Sequence, residues 1–161
     1  MSLPQPPPDS AEPLQWLLDR AAISDLLIEY ARSVDERDWD AFAALWADDA
    51  IFALPMIEVR GRDAIVAAAS EPGGVSQWDA THHINTNHEI RIDGDTATAR
   101  AYLIGTHVRR AQAPNEHSEG GGWYDCTFRR TPDGWRYASS RLSITWHTGT
   151  DLPSQRDSTE R

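Results

Sequence analysis

The chain has 161 residues, of which 40% are hydrophobic and seven are tryptophan, so it can bury the core of one domain but hardly of two. Its formal net charge of −10 disfavours binding to nucleic acid or to an anionic membrane surface, because both carry negative charge. All fifteen basic residues are arginine, which excludes chemistry that needs a lysine, such as Schiff-base formation or a Walker phosphate site.

The first predicted elements are a proline-rich arm and a long helix. Residues 1–10 contain four prolines, and we expect them to be disordered. A helix is predicted from about Glu12 to Val34, because apolar residues recur there at three- and four-residue steps. After a break at VDERDWD, a short second helix is predicted, with Asp38 as its N-cap and Trp46 facing inward.

The following segments predict a short strand at 50–54 and a third helix at 61–70, and the pattern then changes to long strands. Asp-Gly turns separate several of these strands, as in an antiparallel meander. Helices followed by such a meander indicate an α+β fold in one domain over 11–149, with a polar tail at 150–161. We expect the glycine-rich segment 111–122 to be a flexible loop and consider it as a lid. The strands are predicted at roughly 80–93, 95–110, 120–131 and 134–147.

Three histidines lie close together in the run THHINTNHEI. In an uninterrupted strand, His82 and His88 share one face with the isoleucines, and His83 lies on the other face. A metal site is disfavoured, because six strand residues separate His82 from His88 by roughly 20 Å, whereas ligands must lie about 2 Å from one ion. Ordinary sheet histidines remain one interpretation of this run, and a catalytic base remains the other.

The next strand favours the catalytic interpretation. Its alternate residues, from Ala97 to Gly105 and His107, form a face of small apolar side chains that ends in a histidine, which leaves room for a ligand. A histidine base works better when a carboxylate orients it. Asp35 follows the apolar stripe of the first helix and is the best candidate acid, whereas we expect Glu36, Arg37 and Asp40 to be solvated.

The order of several segments resembles the SnoaL-like branch of the nuclear-transport-factor-2-like superfamily, over roughly residues 18–147. The segments are EYARSVDERDWDAFAALW, GRDAIVAA, THHINTN, IDGDTATARAYL and DGWRYASSRLSITW. The resemblance implies a cone-shaped α+β barrel, in which a curved, mostly antiparallel sheet wraps around N-terminal helices and encloses a deep pocket. It also implies a homodimer or homotrimer.

Several lyases of this superfamily work without a cofactor and use an aspartate–histidine dyad. The resemblance places the aspartate at Asp35 and the histidine at His83, and it suggests hydrogen-bonding roles for Tyr30 and His107. The chain departs from some relatives, because it has no lysine near the dyad and has Val34 where scytalone dehydratase has a tyrosine. The dyad therefore transfers better than the groups that select a substrate.

The expected function is that of a cofactor-free dehydratase-type lyase, or an isomerase or cyclase, acting on a ring-containing apolar small molecule. The alternatives are a binding or accessory protein without chemistry, or a subunit like the β subunit of a dioxygenase. One cysteine and no apolar N-terminal segment lead us to expect a cytoplasmic protein. The predicted pocket residues are Trp46, Phe52, Met56, Trp78, Leu103, Trp123 and Trp146, and no metal ligands are predicted.

Overall fold

The computed structural model describes residues 13–149, so the predicted arm at 1–10 and tail at 150–161 lie outside the described residues. The order of elements agrees with the α+β prediction. The helices are α1 (Pro13–Glu36), α2 (Trp39–Ala44) and α3 (Arg62–Ser70), with a 3₁₀ turn at Val75–Gln77. The strands are β1 (Trp46–Ala53), β2 (Glu58–Arg60), β3 (Ala80–Asp93), β4 (Thr96–Val108), β5 (His117–Thr131) and β6 (Gly134–Thr148).

Helix α1 begins with Pro13, a residue that suits a first helical turn, and buries one apolar stripe that includes Ile23, Leu27 and Val34. It continues two residues beyond the predicted end at Val34. It ends because Arg37 adopts a left-handed backbone conformation with φ 61°, a turn that places Asp35 in the last helical turn.

The second helix is shorter than predicted. The Asp38 carboxylate accepts a hydrogen bond from the Ala41 amide at 3.0 Å, which confirms the predicted N-cap. The helix ends at Ala44, however, and Trp46 begins strand β1 instead of closing the helix. Backbone pairing explains the difference, because Trp46 lies opposite Tyr137 of β6 in a parallel ladder.

The sheet has the strand order β2-β1-β6-β5-β4-β3. The predicted antiparallel meander from β3 to β6 is confirmed, and within residues 13–149 the β1–β6 pair is the one parallel pair. The ladder runs from β2 to β3 without closing, so the fold is a curved open sheet with helices packed on it and not a closed barrel. Register shifts between Thr86 and Glu89 and between Gly121 and Gly122 bend the strands and increase their curvature.

The prediction of a flexible loop over all of 111–122 is wrong. Strand β5 begins at His117, and the three glycines 120–122 pair with β4 on one side, with Gly120 opposite Gly105. The need for glycine at position 122 comes from the close approach of β6 and not from a turn. An added Cβ at Gly122 would lie 1.9 Å from the Ser143 carbonyl oxygen. The glycine run is therefore part of the sheet and gives no support to a lid.

A β-bulge also overturns the predicted faces of the histidine strand. Asn87 has a positive φ of 54°, and the register with β4 shifts there. The extra residue rotates the following side chains by one face. His88 consequently faces α1, where its Nδ1 lies 2.8 Å from Ser24 Oγ, and it does not share a face with His82, whose side chain is exposed.

An aromatic core fills the space between α1 and the sheet. Trp46 and Phe42 are almost completely buried, and Tyr30 is 7% exposed. The ring of Tyr30 contacts those of Phe42, Trp46, Phe52, Tyr124 and Tyr137.

Among residues 13–149, none of the helices combines the length and the apolar character that a bilayer crossing requires.

Candidate active site

The end of α1 and the start of β3 bring Asp35 and His83 into direct contact. His83 Nδ1 lies 2.6 Å from Asp35 Oδ1, and the two side chains are 7% and 20% exposed, respectively. The contact forms because Asp35 lies on the inner side of the last turn of α1, while His83 shares the inner face of β3 with Thr81 and Asn85. We call Asp35 and His83 the dyad.

Asp35 also accepts two hydrogen bonds that hold its carboxylate in place. The backbone amide of His83 donates to Oδ2 at 2.7 Å, and the Thr81 hydroxyl donates to Oδ1 at 2.8 Å. Burial opposes ionisation, but His83 and Thr81 together keep the pKa of Asp35 below its usual value. An ionised carboxylate only accepts hydrogen bonds, so the Nδ1 atom of neutral His83 carries the proton and Nε2 has a free lone pair.

His107 lies beside the dyad on strand β4. Its ring centroid is 5.2 Å from that of His83, and the two rings are nearly perpendicular. Gly105 separates them, since an added Cβ would lie 3.3 Å from His83 Cδ2 and 3.4 Å from His107 Cε1. Trp78 packs on the other side of His107, with 5.3 Å between centroids. His107 Nδ1 is buried and has no hydrogen-bond partner among the described residues.

His107 is uncharged at neutral pH. Burial, with smaller contributions from the nearby His83 and Arg37, lowers its pKa to about 4, although Asp35 opposes this shift. A neutral imidazole offers one N–H donor and one acceptor, so the site places a hydrogen-bonding group next to the free nitrogen of the dyad. The arrangement can remove a proton and hydrogen-bond a polar group of the same ligand.

The pKa of His107 predicts acid sensitivity. Between about pH 6.5 and pH 4 the unfolded chain takes up a proton on His107 that the folded chain does not, so stability falls as the pH falls through this window. We expect His107 to account for about 2 kcal/mol of this loss, discounted for partial exposure of the ring. Urea denaturation across this window should therefore show a shallower pH dependence for His107→Gln than for the wild type. His82→Gln, at an exposed histidine, is the control, and equal slopes in all three proteins would contradict the prediction.

A side chain at Gly105 is expected to disturb both rings. In Gly105→Ala the new methyl group would press on His83 and His107, and the rings would have to move by a few tenths of an ångström. We expect turnover of any substrate to fall about tenfold, because proton transfer depends on alignment. The control is Thr106→Ala, which changes the adjacent, oppositely facing residue. Unchanged turnover in Gly105→Ala would show that the gap between the rings is not needed.

Tyr30 lies in the core and has no described hydrogen bond to the dyad. Its hydroxyl is 3.4 Å from the Tyr124 hydroxyl, and both rings are buried. Burial raises the pKa of both phenols, so they remain protonated at neutral pH. The contacts of Tyr30 are thus those of a packing residue.

The predicted pocket residues lie in three different places. Trp78 and Leu103 are buried on the dyad side of the sheet. Trp46 and Phe52 belong to the aromatic core. Trp123 and Trp146 line an apolar depression on the opposite face of the sheet, and Met56 is exposed, so these three residues do not lie at the dyad.

Strand parity explains the misplacement of the two tryptophans. Trp123 contacts Arg100 and Asp125 on the outer face, and Trp146 packs over Gly121 on the same face. Met56 is 67% exposed in the link between β1 and β2. A bulge at 121–122 and the outward position of Trp123 were not visible in the spacing of aromatic residues.

Two surface depressions lie on this outer face and not at the dyad. One of about 550 Å³ is lined by charged residues that include Arg100, Asp125 and Arg141. The other, of about 310 Å³, is lined by apolar residues that include Tyr102, Trp123 and Trp146. Neither depression includes Asp35, His83 or His107, so neither is the pocket that the resemblance implied.

Sequence reasoning missed two residues at the site. Thr81 shares the inner face of β3 with His83, so its position two residues earlier was a usable signal. Arg37 was predicted to be solvated, but it is partly buried and its guanidinium donates to Thr81 Oγ1 at 2.8 Å. Its left-handed backbone, which turns it inward, has no signature in a single sequence.

No group of three or more histidine, cysteine, aspartate or glutamate side chains within residues 13–149 is arranged to hold a metal ion. Cys126 is buried in the core, and burial raises the pKa of its thiol to about 12. The thiol is therefore protonated at neutral pH, and the groups able to move a proton near the dyad are histidines.

The open curved sheet with helices packed on its inner face is the architecture of nuclear-transport-factor-2-like proteins. The chain belongs to the SnoaL-like domain family, which matches residues 15–141. An uncharacterized protein of Mycobacterium tuberculosis is 30% identical over 126 residues, which cover 73% of this chain and 80% of that protein.

Solved structures support the same fold. A hexachlorocyclohexane dehydrochlorinase of Novosphingobium barchaimii matches with a TM-score of 0.75 and 18% identity, covering 88% of this chain and 99% of that one. A scytalone dehydratase-like protein of Novosphingobium aromaticivorans matches with a TM-score of 0.75 and 22% identity, covering 86% and 91%. An aromatic ring hydroxylase-like protein of the same species is 30% identical, with a TM-score of 0.71 and coverage of 83% and 94%. The neighbours thus include lyase-type enzymes.

Proposed function

We propose that the protein is a cofactor-free lyase that eliminates water or another small leaving group from a ring-containing apolar molecule. The observation that carries this proposal is the 2.6 Å contact between Asp35 Oδ1 and His83 Nδ1, which leaves His83 Nε2 free to accept a proton. Isomerisation or cyclisation would use the same base and is the nearest alternative reaction.

In the proposed reaction, His83 Nε2 removes a proton from a carbon next to the one that bears the leaving group. The electron pair of that C–H bond forms the new double bond, and the bond from carbon to the leaving group breaks with its electron pair. A halide leaves as the anion, whereas a hydroxyl leaves as water after taking the proton from the His83 imidazolium. Asp35 stays ionised and stabilises the imidazolium that forms on His83, since its pKa lies below the usual value. Neutral His107 hydrogen-bonds the leaving oxygen or a developing enolate oxygen.

The surroundings suit an apolar ligand. Trp78 and Leu103 are buried near the two histidines, and Gly105 keeps the space between the rings free of a side chain. We assign Tyr30 to packing, because its described contacts are with aromatic rings and with the Tyr124 hydroxyl. Neighbours that include dehydratase-like and dehydrochlorinase structures support the lyase class. The homodimer or homotrimer implied by the resemblance stays a prediction.

A substrate screen tests the proposal. Wild-type protein is incubated with cyclic compounds that carry a hydroxyl or a halide one carbon away from an acidic C–H bond, and chromatography follows each compound and its unsaturated product. We expect at least one compound to lose its leaving group. A product with the mass of the starting compound would indicate isomerisation instead, and conversion of no compound would contradict the lyase.

A binding protein without chemistry is the second candidate. It is favoured by one observation, namely that the two surface depressions lie away from the dyad and that the apolar one is lined by Trp123 and Trp146. Tryptophan fluorescence during titration with the same compounds separates the two candidates. Binding that Trp146→Ala abolishes and His83→Gln leaves intact, without any conversion, would favour the binder.

A further inference from the structure

We propose that Arg37 is a positioning residue for the dyad and acts through Thr81. This inference rests on the proposed function, because it assigns Arg37 the task of holding Asp35 in the orientation that His83 needs. Arg37 is not itself a catalytic residue, since the described groups nearest its guanidinium are backbone carbonyls and the Thr81 hydroxyl.

The backbone of Arg37 is unusual. Residue 37 occupies the position after the helix end where a left-handed conformation is needed, and the Asp38 amide closes the turn by donating to the Ser33 carbonyl at 2.9 Å. Glycine is the common residue at this position, and a bulky side chain is strained there. A strained arginine at the base of the dyad calls for a compensating role of its side chain.

The side chain joins three parts of the site. Its Nη1 atom donates to the Val34 carbonyl at 2.6 Å and to Thr81 Oγ1 at 2.8 Å, and its Nη2 atom donates to the Trp78 carbonyl at 3.2 Å. One planar guanidinium therefore ties the end of α1, the start of β3 and the segment that carries Trp78.

The hydrogen bond from Arg37 sets the direction of the Thr81 hydroxyl proton. Because Arg37 only donates, Thr81 Oγ1 must accept from it, and the Thr81 hydroxyl proton is then directed to Asp35 Oδ1 at 2.8 Å. The same Oδ1 atom accepts from His83 Nδ1. The sequence Arg37, Thr81, Asp35, His83 is thus a continuous chain of hydrogen bonds that sets the direction of the carboxylate. Burial lowers the pKa of Arg37, and Asp35 opposes this by raising it, so the guanidinium stays charged.

The test uses the proton NMR signal of the His83 Nδ1–H group, which is assigned by its absence in His83→Gln and needs no substrate. It is recorded for the wild type, for Arg37→Gly, which relieves the left-handed strain, and for Thr81→Val, which keeps the shape of the side chain. Arg32→Gln is the matched control, because Arg32 is an arginine of α1 that pairs with Glu29, Glu36 and Asp38 and has no described hydrogen bond to Asp35, Thr81 or His83. Thermal melting of each variant reports folding.

We expect the signal to exchange with solvent about tenfold faster in Arg37→Gly and in Thr81→Val than in the wild type, and to be unchanged in Arg32→Gln. If Arg37→Gly does not fold, Thr81→Val decides. An unchanged signal in the folded variants, or an equal loss in Arg32→Gln, would overturn the proposal. With a converted substrate in hand, Arg37→Gly should lower kcat and leave KM unchanged. A signal that responds while no compound is converted would refute the lyase and not the role of Arg37.

Discussion

Asp35→Asn is expected to reduce turnover by about 100-fold to 10,000-fold, because it replaces the acceptor that holds His83. Asp35 now accepts hydrogen bonds from Thr81, from the His83 backbone amide and from His83 Nδ1. An asparagine presents an NH₂ group to some of these donors, so the His83 ring loses its preferred tautomer and its counter-charge. Steady-state kinetics on a compound found by the screen measures the effect.

Asp38→Asn is the matched control for this experiment. It removes a carboxylate only three residues away, yet asparagine caps a helix as well as aspartate, so the cap on Ala41 should persist. We expect its turnover to equal that of the wild type. Equal turnover in Asp35→Asn, with the protein folded, would show that the dyad contact has no part in catalysis.

The largest loss of stability is expected for Asp19→Ala, at about 3 kcal/mol. Asp19 is 6% exposed. Its carboxylate accepts hydrogen bonds from both Nη atoms of Arg130, at 2.8 and 2.6 Å, and from Trp135 Nε1 at 3.0 Å. The hydrogen bonds from Arg130 contribute most to lowering the pKa of Asp19 to about 2. Alanine would leave both donors without their acceptor between α1 and the sheet. Urea denaturation at pH 7 measures the change.

Asp49→Ala is the control for Asp19→Ala. Asp49 also pairs with an arginine, Arg129, but 72% of its side chain is exposed, so we expect little or no change in the free energy of unfolding. The folded-state pKa of Asp19 is lowered, so its contribution is present above about pH 4 and is lost as the pH falls toward 2. The free energies of unfolding of the two variants and of the wild type should therefore converge in strong acid. A loss of stability in Asp19→Ala as small as that in Asp49→Ala would show that the buried contact of Asp19 with Arg130 and Trp135 does not stabilise the fold.

Local patterns in the sequence were sufficient to predict the order of elements. Apolar periodicity marks α1, alternation and Asp-Gly turns mark β3 to β6, and the inner face from Ala97 to His107 on β4 is buried except at its end. The predicted faces match the structure in these strands because alternate residues stay on one face where the strand pairing has no bulge. The contact of Asp35 with His83 depended on the family resemblance, since they are far apart in sequence.

The errors occur where the backbone departs from a regular period. The positive φ at Asn87 turns His88 to the helix side, and the bulge at 121–122 together with strand parity leaves Trp146 and Trp123 on the outer face. The left-handed residue Arg37 likewise places a charge at the dyad that composition assigns to solvent. A single sequence carries little signal for such residues, because non-glycine residues seldom adopt positive φ.

The most direct test of the proposed proton transfer is the conversion rate of the best compound from the screen by the wild type and by His83→Gln. We expect the variant to fold, to bind the compound and to convert it about 100-fold or more slowly, because glutamine cannot accept the proton. Conversion at the wild-type rate by His83→Gln would contradict the claim that His83 is the base.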